Sequence, residues 1–209
     1  MIKGLIGRKI GMTHLFDQSG ALVPVTLLKV GPCYVTQLRS PERDGYHAVQ
    51  VGFEEVPKRK LNKPRRGHLA RAGLQDKPVR YLAEFPPFAS DLQLGQTITV
   101  DQVFQVGERV KVTGISKGKG TAGVVRRYHA AGGPKTHGSM THRRPLASGA
   151  TGPQRVLKTK PMPGRMGAKR VTQTGLTVVQ IDVQNHTLAL KGAVPGPNGG
   201  VVYIRKTTP

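Results

Sequence analysis

RVKVTGISKGKGTAGVVRRYHAAGGPKTHGSMTHRRPLASGATGPQRVLKTKPMPGRMGAKRVTQTGLTVVQI, residues 109–181, carries 15 Lys and Arg and not one Asp or Glu. A segment without carboxylates cannot neutralise itself by internal ion pairs. Left alone it repels itself and stays extended. The rest of the chain is different. Residues 1–108 set 15 Lys and Arg against 10 acids, and residues 182–209 set three against Asp182 alone. The cationic excess is therefore local, and it lies inside the chain rather than on a tail.

What flanks the segment is strand-like. ALVPVTLLKV (21–30), CYVTQLRS (33–40), YHAVQVGFEEV (46–56), TITVDQVF (97–104) and RVKVTGI (109–115) precede or open it. LTVVQIDV (176–183), HTLALKG (186–192) and VVYIRK (201–206) close or follow it, the first two reading as a hairpin around Gln184 and Asn185. These runs are rich in Val, Ile and Thr and are separated by turn chemistry such as DQSG, SPERDG and GP. Short strands at this spacing predict a small β-barrel. The one helical candidate is LNKPRRGHLARAGL (61–74), short and basic. Eleven glycines between 114 and 170 argue against a packed core there, because glycine loses the most entropy on ordering. A loop of this length in a compact domain is expected only when it has a function. Here charge supplies one.

Over the whole chain, 33 Lys and Arg against 11 acids leave +22 on 209 residues, with a pI near 10.9. That balance favours a polyanionic partner over small-molecule metabolism. Aromatic residues are 5% with no Trp, so reading bases by stacking is not the main device. A single cysteine, Cys33, excludes an internal disulfide framework and a Cys-based zinc finger, and its place after Gly31-Pro32 predicts a buried structural thiol. No apolar run is long enough to span a membrane, and the opening MIKGLIGRKIGMTHLF does not read as a signal peptide. A cytoplasmic nucleic-acid-binding protein is the expectation.

Several motifs invite sharper readings. Gly118, Gly120 and Gly123 spell G-x-G-x-x-G after a strand, yet Gly132, Gly133 and Pro134 cut off any crossover helix. No acid follows before Asp182 to hold a ribose, so a dinucleotide site is not expected. His129, His137 and His142 have no carboxylate near in sequence to orient them or to share a metal. Ser116, Ser139 and Ser148 lack the acid that a triad requires. No catalytic residue, metal or cofactor is expected. PKRKLNKPRR (57–66) packs six Lys and Arg into ten residues and reads as a second phosphate-contacting surface.

The blocks GLIGRKIGMTHLFDQSGALVPVTLLKV, GYHAVQVGF, NKPRRGHLARAGL, GISKGKGTAGVVRR, THGSMTHRRPLASGA, PMPGRMGAKRVT and LKGAVPGPNGG appear in the order and spacing of a known family. Together they resemble large-subunit ribosomal protein three of the bacterial type over nearly the whole chain, the signature segment through Gly114, Ser116, Gly118, Lys119, Gly120, Gly123 and Arg127. One departure is Lys111, where the family signature carries Asp or Asn. The resemblance implies a mainly β fold: a six-stranded barrel of the translation-protein type with a long extended basic loop and a short helical insertion. On that reading the body is 1–115 with 171–209, including a basic insertion at about 57–80, and the arm is 116–170.

The resemblance also implies a primary binder near the 3′ end of the large-subunit (23S) rRNA. Its arm would run toward the peptidyl transferase centre, help nucleate subunit assembly and have large-subunit proteins fourteen and nineteen as neighbours. The residues expected at RNA from the basic cluster are Lys58, Arg59, Lys60, Lys63, Arg65 and Arg66. From the arm they are Lys117, Lys119, Arg126, Arg127, Lys135, His137, His142, Arg143, Arg144, Gln154, Arg155, Lys158, Lys160, Arg165, Lys169 and Arg170. Some relatives methylate a glutamine near the arm's tip, and Gln154 is this chain's glutamine there, in a shifted alignment. The alternatives are an RNA-modifying enzyme, which would need a cofactor loop and a positioned acid or base, and a free nucleic-acid-compacting protein, which would not need a long internal arm.

Overall fold

The computed structural model describes residues 2–86, 92–145 and 147–207. Every candidate residue named above lies within them. The chain divides into two compact units, one of residues 1–115 with 170–209 and one of residues 116–169.

The first unit opens with β1 (Gly4–Phe16), β2 (Leu22–Val30), β3 (Cys33–Arg39), α1 (Pro41–Asp44) and β4 (Ala48–Glu55). It continues with α2 (Lys63–Arg71), β5 (Val79–Phe85), β6 (Thr97–Ile98), α3 (Val100–Val103) and β7 (Arg109–Ile115). The second unit holds β8 (Thr121–Ala122), α4 (Val124–Tyr128) and β9 (Gly164–Arg165). The first unit resumes with β10 (Arg170–Asp182), β11 (Thr187–Lys191) and β12 (Val201–Lys206).

Six of these strands close a barrel in the order β1-β12-β7-β10-β11-β2, every pairing antiparallel. The two-residue period of the sequence is visible in it. In β12, Val202 and Ile204 are buried while Val201 and Tyr203 are half-covered, and in β7, Val110 and Val112 point in while Arg109 stays out. Closure leaves the barrel without an open edge for another chain to extend.

A second sheet, β5-β4-β3-β6, shares its core. Val35, Val49, Val51, Phe53 and Phe85 pack in one cluster with Leu5, Ile6, Val112 and Ile204. Gly4 permits this: a Cβ there would stand 2.4 Å from the Ile204 carbonyl and 2.6 Å from the Phe85 ring. A smaller cluster of Tyr34, Leu61, Leu69, Ala72, Leu74 and Val79 seats α2.

The structure departs from the sequence reading in four places. Residues 97–104 are not one strand. The pairing stops after Ile98 because Thr99 and Gln102 form a reciprocal capping box that starts α3. Residues 33–40 and 46–56 supply the second sheet instead of the barrel; there β3 pairs with β4, and β4 with β5, a strand not recognised in VRYLAEF. β10 begins at Arg170, six residues before the apolar run that signalled it, since its polar start pairs with β7 from Ile115 to Val112. Finally, residues 116–170 contain short regular elements, β8, β9 and α4, rather than loop alone.

Candidate nucleic-acid interface

The 116–169 unit is built almost without a core. Of its described residues, only Ala122 and Val124 are buried hydrophobic side chains. Backbone hydrogen bonds hold its root instead. Ser116 N–H donates to the Lys169 carbonyl at 2.9 Å, Lys119 N–H to Met166 at 3.0 Å and Met166 N–H to Gly120 at 2.8 Å, leading into the β8–β9 pair. Gly167, at φ +72°, lies so close that a Cβ would fall 2.1 Å from the Lys117 carbonyl. Within the G-x-G-x-x-G run, Gly120 takes φ +65° and its carbonyl accepts from Met166 N–H, while Gly123 precedes a helix of five residues, too short for a dinucleotide crossover.

On this ladder and the loop beyond it, Lys117, Lys119, Arg126, Lys135, Arg143, Arg144, Arg155, Lys158, Lys160, Arg165 and Lys169 are all exposed. Arg127 is half-buried. It donates from Nη1 to the Met162 carbonyl at 2.7 Å and lies 5.0 Å from the Tyr128 ring, so it braces the unit from inside. Arg170 is exposed as the first residue of β10, and it belongs to the barrel unit.

His137 is exposed with φ 58°, and Gln154 is exposed in a turn with φ 51°. His142 donates from Nδ1 to the Pro134 carbonyl at 3.0 Å, which leaves Nε2 outward. The chain crosses itself tightly there: Gly133 N–H donates to the His142 carbonyl, and a Cβ on Gly133 would lie 2.6 Å from the Thr141 carbonyl. The serines are used locally, Ser116 Oγ accepting from Lys169 N–H and Ser139 Oγ from Thr141 N–H.

Charge decides what such a surface can do. The unit has 12 Lys and Arg and no acid. Among the described residues all five ion pairs lie in the other unit: Arg8–Glu54, Arg39–Asp44, Arg39–Glu84, Lys58–Asp76 and Lys206–Glu108. Cations without a carboxylate in their own unit make a surface electrostatically suited to an anion.

The second basic cluster is arranged differently. Lys58, Arg59 and Lys60 form a single 3-10 turn, and α2 starts behind Asn62, whose Oδ1 accepts from Arg65 N–H at 3.2 Å. Leu69 is the one buried side chain of α2, so Lys63, Arg65 and Arg66 face solvent. Two of the arginines are steadied by carbonyls, Arg66 on Leu61 at 2.8 Å and Arg65 on Arg80 at 3.3 Å. Lys58 reaches Asp76 at 3.1 Å, an exposed pair of little energetic weight. Arg71, Lys77 and Arg80 are exposed around the same cluster and were missed from sequence. The alternation Val79-Arg80 within β5 would have placed Arg80 outward had that strand been read.

Cys33 is fully buried, donates to the Ile6 carbonyl at 3.6 Å and is pushed up to about 12 by burial, so it is structural as expected. The chain thus joins a closed barrel to an acid-free, cation-bearing unit in which, among its described residues, only two hydrophobic side chains are buried.

The family described as Ribosomal protein L3 matches residues 82–187. Large ribosomal subunit protein uL3 of Heliobacterium modesticaldum is 50% identical over 206 residues, covering 98% of this chain and 97% of that protein. The proteins of the same name from Acetivibrio thermocellus and Acidothermus cellulolyticus are 48% and 49% identical, covering 99% and 98% of this chain and 98% and 92% of their own lengths. This chain belongs to the ribosomal protein L3 family.

Proposed function

We propose that the chain is a structural constituent of the large ribosomal subunit. It binds 23S rRNA near the 3′ end, nucleates assembly and sends residues 116–169 into the RNA as an arm toward the peptidyl transferase centre. One observation carries this reading. The 116–169 unit exposes its cations, buries only two hydrophobic side chains and makes no ion pair of its own among the described residues. Phosphates supply what the chain lacks, and such contacts position the protein without reading sequence. Recognition then rests on shape and 2′-hydroxyls, because the A-form major groove is too narrow for side chains. Lys58 to Arg66 form a second phosphate surface on the barrel unit.

Large-subunit proteins fourteen and nineteen are its proposed neighbours. Ile10, Met12, Phe16 and Leu22 are exposed on the β1–β2 hairpin, an apolar face suited to protein and not to phosphate. No chemical step is assigned to the chain, and Gln154 stands in a backbone turn where a methyl-bearing side chain would be accessible.

The test is co-sedimentation with large subunits after a high-salt wash, in wild type and in variants. Arg143→Ala with Arg144→Ala removes two planar donor forks and should reduce large-subunit yield on sucrose gradients. His137→Ala and His142→Ala should change yield little and leave peptidyl transfer by assembled subunits intact. Loss of peptidyl transfer in fully assembled histidine variants, with the double arginine variant normal, would overturn the scaffold reading.

A further inference from the structure

Away from both basic clusters, the barrel unit contains a cavity of about 290 Å³ whose lining includes Glu84, Thr113, Arg170, Tyr203 and Arg205. The register makes it: β12 sets Tyr203 opposite Thr113 and Arg205 opposite Lys111, while β10 sets Arg170 opposite Ile115. Three strands and the edge of the second sheet thus bring two guanidinium groups and one phenol to the same hollow.

Their states differ in a telling way. Arg205 is held in place, its guanidinium 5.3 Å from the Phe85 ring centroid and donating from Nη2 to the Glu84 carbonyl at 3.3 Å. That leaves the rest of its donor fork unused. The Arg170 guanidinium and the Tyr203 hydroxyl have no hydrogen-bond partner among the described residues, and Tyr203 packs its ring against the barrel core. The one carboxylate in the lining is already committed. Glu84 accepts from Arg39 Nε at 3.4 Å, Tyr46 Oη at 2.9 Å and Gln50 Nε2 at 3.4 Å. The hollow is therefore cationic, with one preorganised arginine, one free arginine and an aromatic ring.

The geometry points to a subsite for a single unpaired nucleotide of RNA. Arg170 and Arg205 take its phosphate, and Tyr203 meets its ribose or base. A planar donor fork matches phosphate geometry, and a tyrosine ring accepts any base by its face. The size agrees, since the cavity is at the small end of ligand sites and admits one nucleotide and no duplex. This inference rests on the rRNA-binding reading; Arg170 was already expected at RNA, and Tyr203 and Arg205 join it at a site outside residues 116–169 and outside the 57–66 cluster.

The experiment is ultraviolet crosslinking of large subunits containing the full chain, followed by mass spectrometry of tryptic peptides. It is paired with affinity measurements for full-length chain on a 23S rRNA 3′-domain transcript. The expected result is the peptide 192–205 carrying an added nucleotide at Tyr203. Arg170→Ala and Arg205→Lys should each weaken binding about tenfold. Arg170→Ala should also flatten the log–log salt slope by about 0.7, the share of one phosphate contact. Tyr203→Phe, which keeps the packing, should bind within about threefold of wild type and still crosslink through its ring. If both arginine variants bind like wild type and Tyr203 acquires no nucleotide while wild-type binding stays salt-steep, the subsite is wrong and the arm reading stands. A peptide joined to Tyr203 in place of a nucleotide also refutes the subsite. If the wild-type chain does not bind the transcript at all, the rRNA reading falls and the subsite falls with it.

Discussion

At Cys33 a single side chain reports on the packing of the whole body. The thiol is shielded between the start of β3 and the Ile6 carbonyl of β1, and burial raises it from the ordinary thiol range to about 12. A group raised on folding contributes fully below its unfolded value and loses that contribution as pH climbs toward the folded one. Native protein at neutral or mildly alkaline pH should therefore leave a disulfide-exchange reagent such as DTNB unreacted until urea unfolds it. Prompt stoichiometric reaction of the native protein would contradict the packing. Asp44 runs the other way. Its hydrogen bond from Arg39 holds it below the usual carboxylate range, so its contribution is present above that range and fades as acid carries the pH down through the folded value. Asp44→Asn should flatten the acid limb of a stability–pH curve by lowering its neutral plateau, while stability at strongly acid pH stays as in the wild type. Gly4→Ala drives a methyl group into the Ile204 carbonyl and the Phe85 ring, and urea titration should show a loss of about 1–3 kcal/mol.

The elements show where sequence reading succeeds and where it stops. β7 and β12 were legible because their buried valines and Ile204 alternate with outward residues, which is the pleat itself. α2 was legible as a short basic helix, with Pro64 and Gly67 counting against it, but Pro64 falls in its first turn behind the Asn62 cap, where a proline is tolerated. Asn62→Ala should cost about 1 kcal/mol, seen as faster amide hydrogen exchange within α2 than within the barrel. TITVDQVF misled because its alternation holds only as far as Ile98, where the local exchange between Thr99 and Gln102 prevails over propensity. β5 was missed because VRYLAEF becomes a strand through its partner β4, and that pairing leaves little trace in the segment alone. The arm's cations were legible from the absence of acid. The hollow at Arg170, Tyr203 and Arg205 was not, since three separate strands meet there through a register that only closure of the barrel fixes.

For the molecule as a whole, the contrast between a large shared core and a unit with two buried hydrophobic side chains among its described residues predicts unequal protection. Limited proteolysis of the free protein should cut first within 116–169 and leave the strands on either side intact. Equal resistance across both units would argue against it. Binding to 23S rRNA should weaken steeply with salt: roughly ten phosphate contacts at about −0.7 each give a log–log slope near −7. A nearly flat response would remove the electrostatic basis of the reading. The meeting of Ile115 with Arg170 as cross-strand partners has another consequence. Both ends of the inserted segment are pinned by barrel pairing before any RNA arrives. Its span then enters the folding free energy only through a logarithm, at about 0.6 kcal/mol for each doubling of length. Lineages can lengthen or trim this segment to follow a changing ribosome while the body that carries it keeps nearly the same stability.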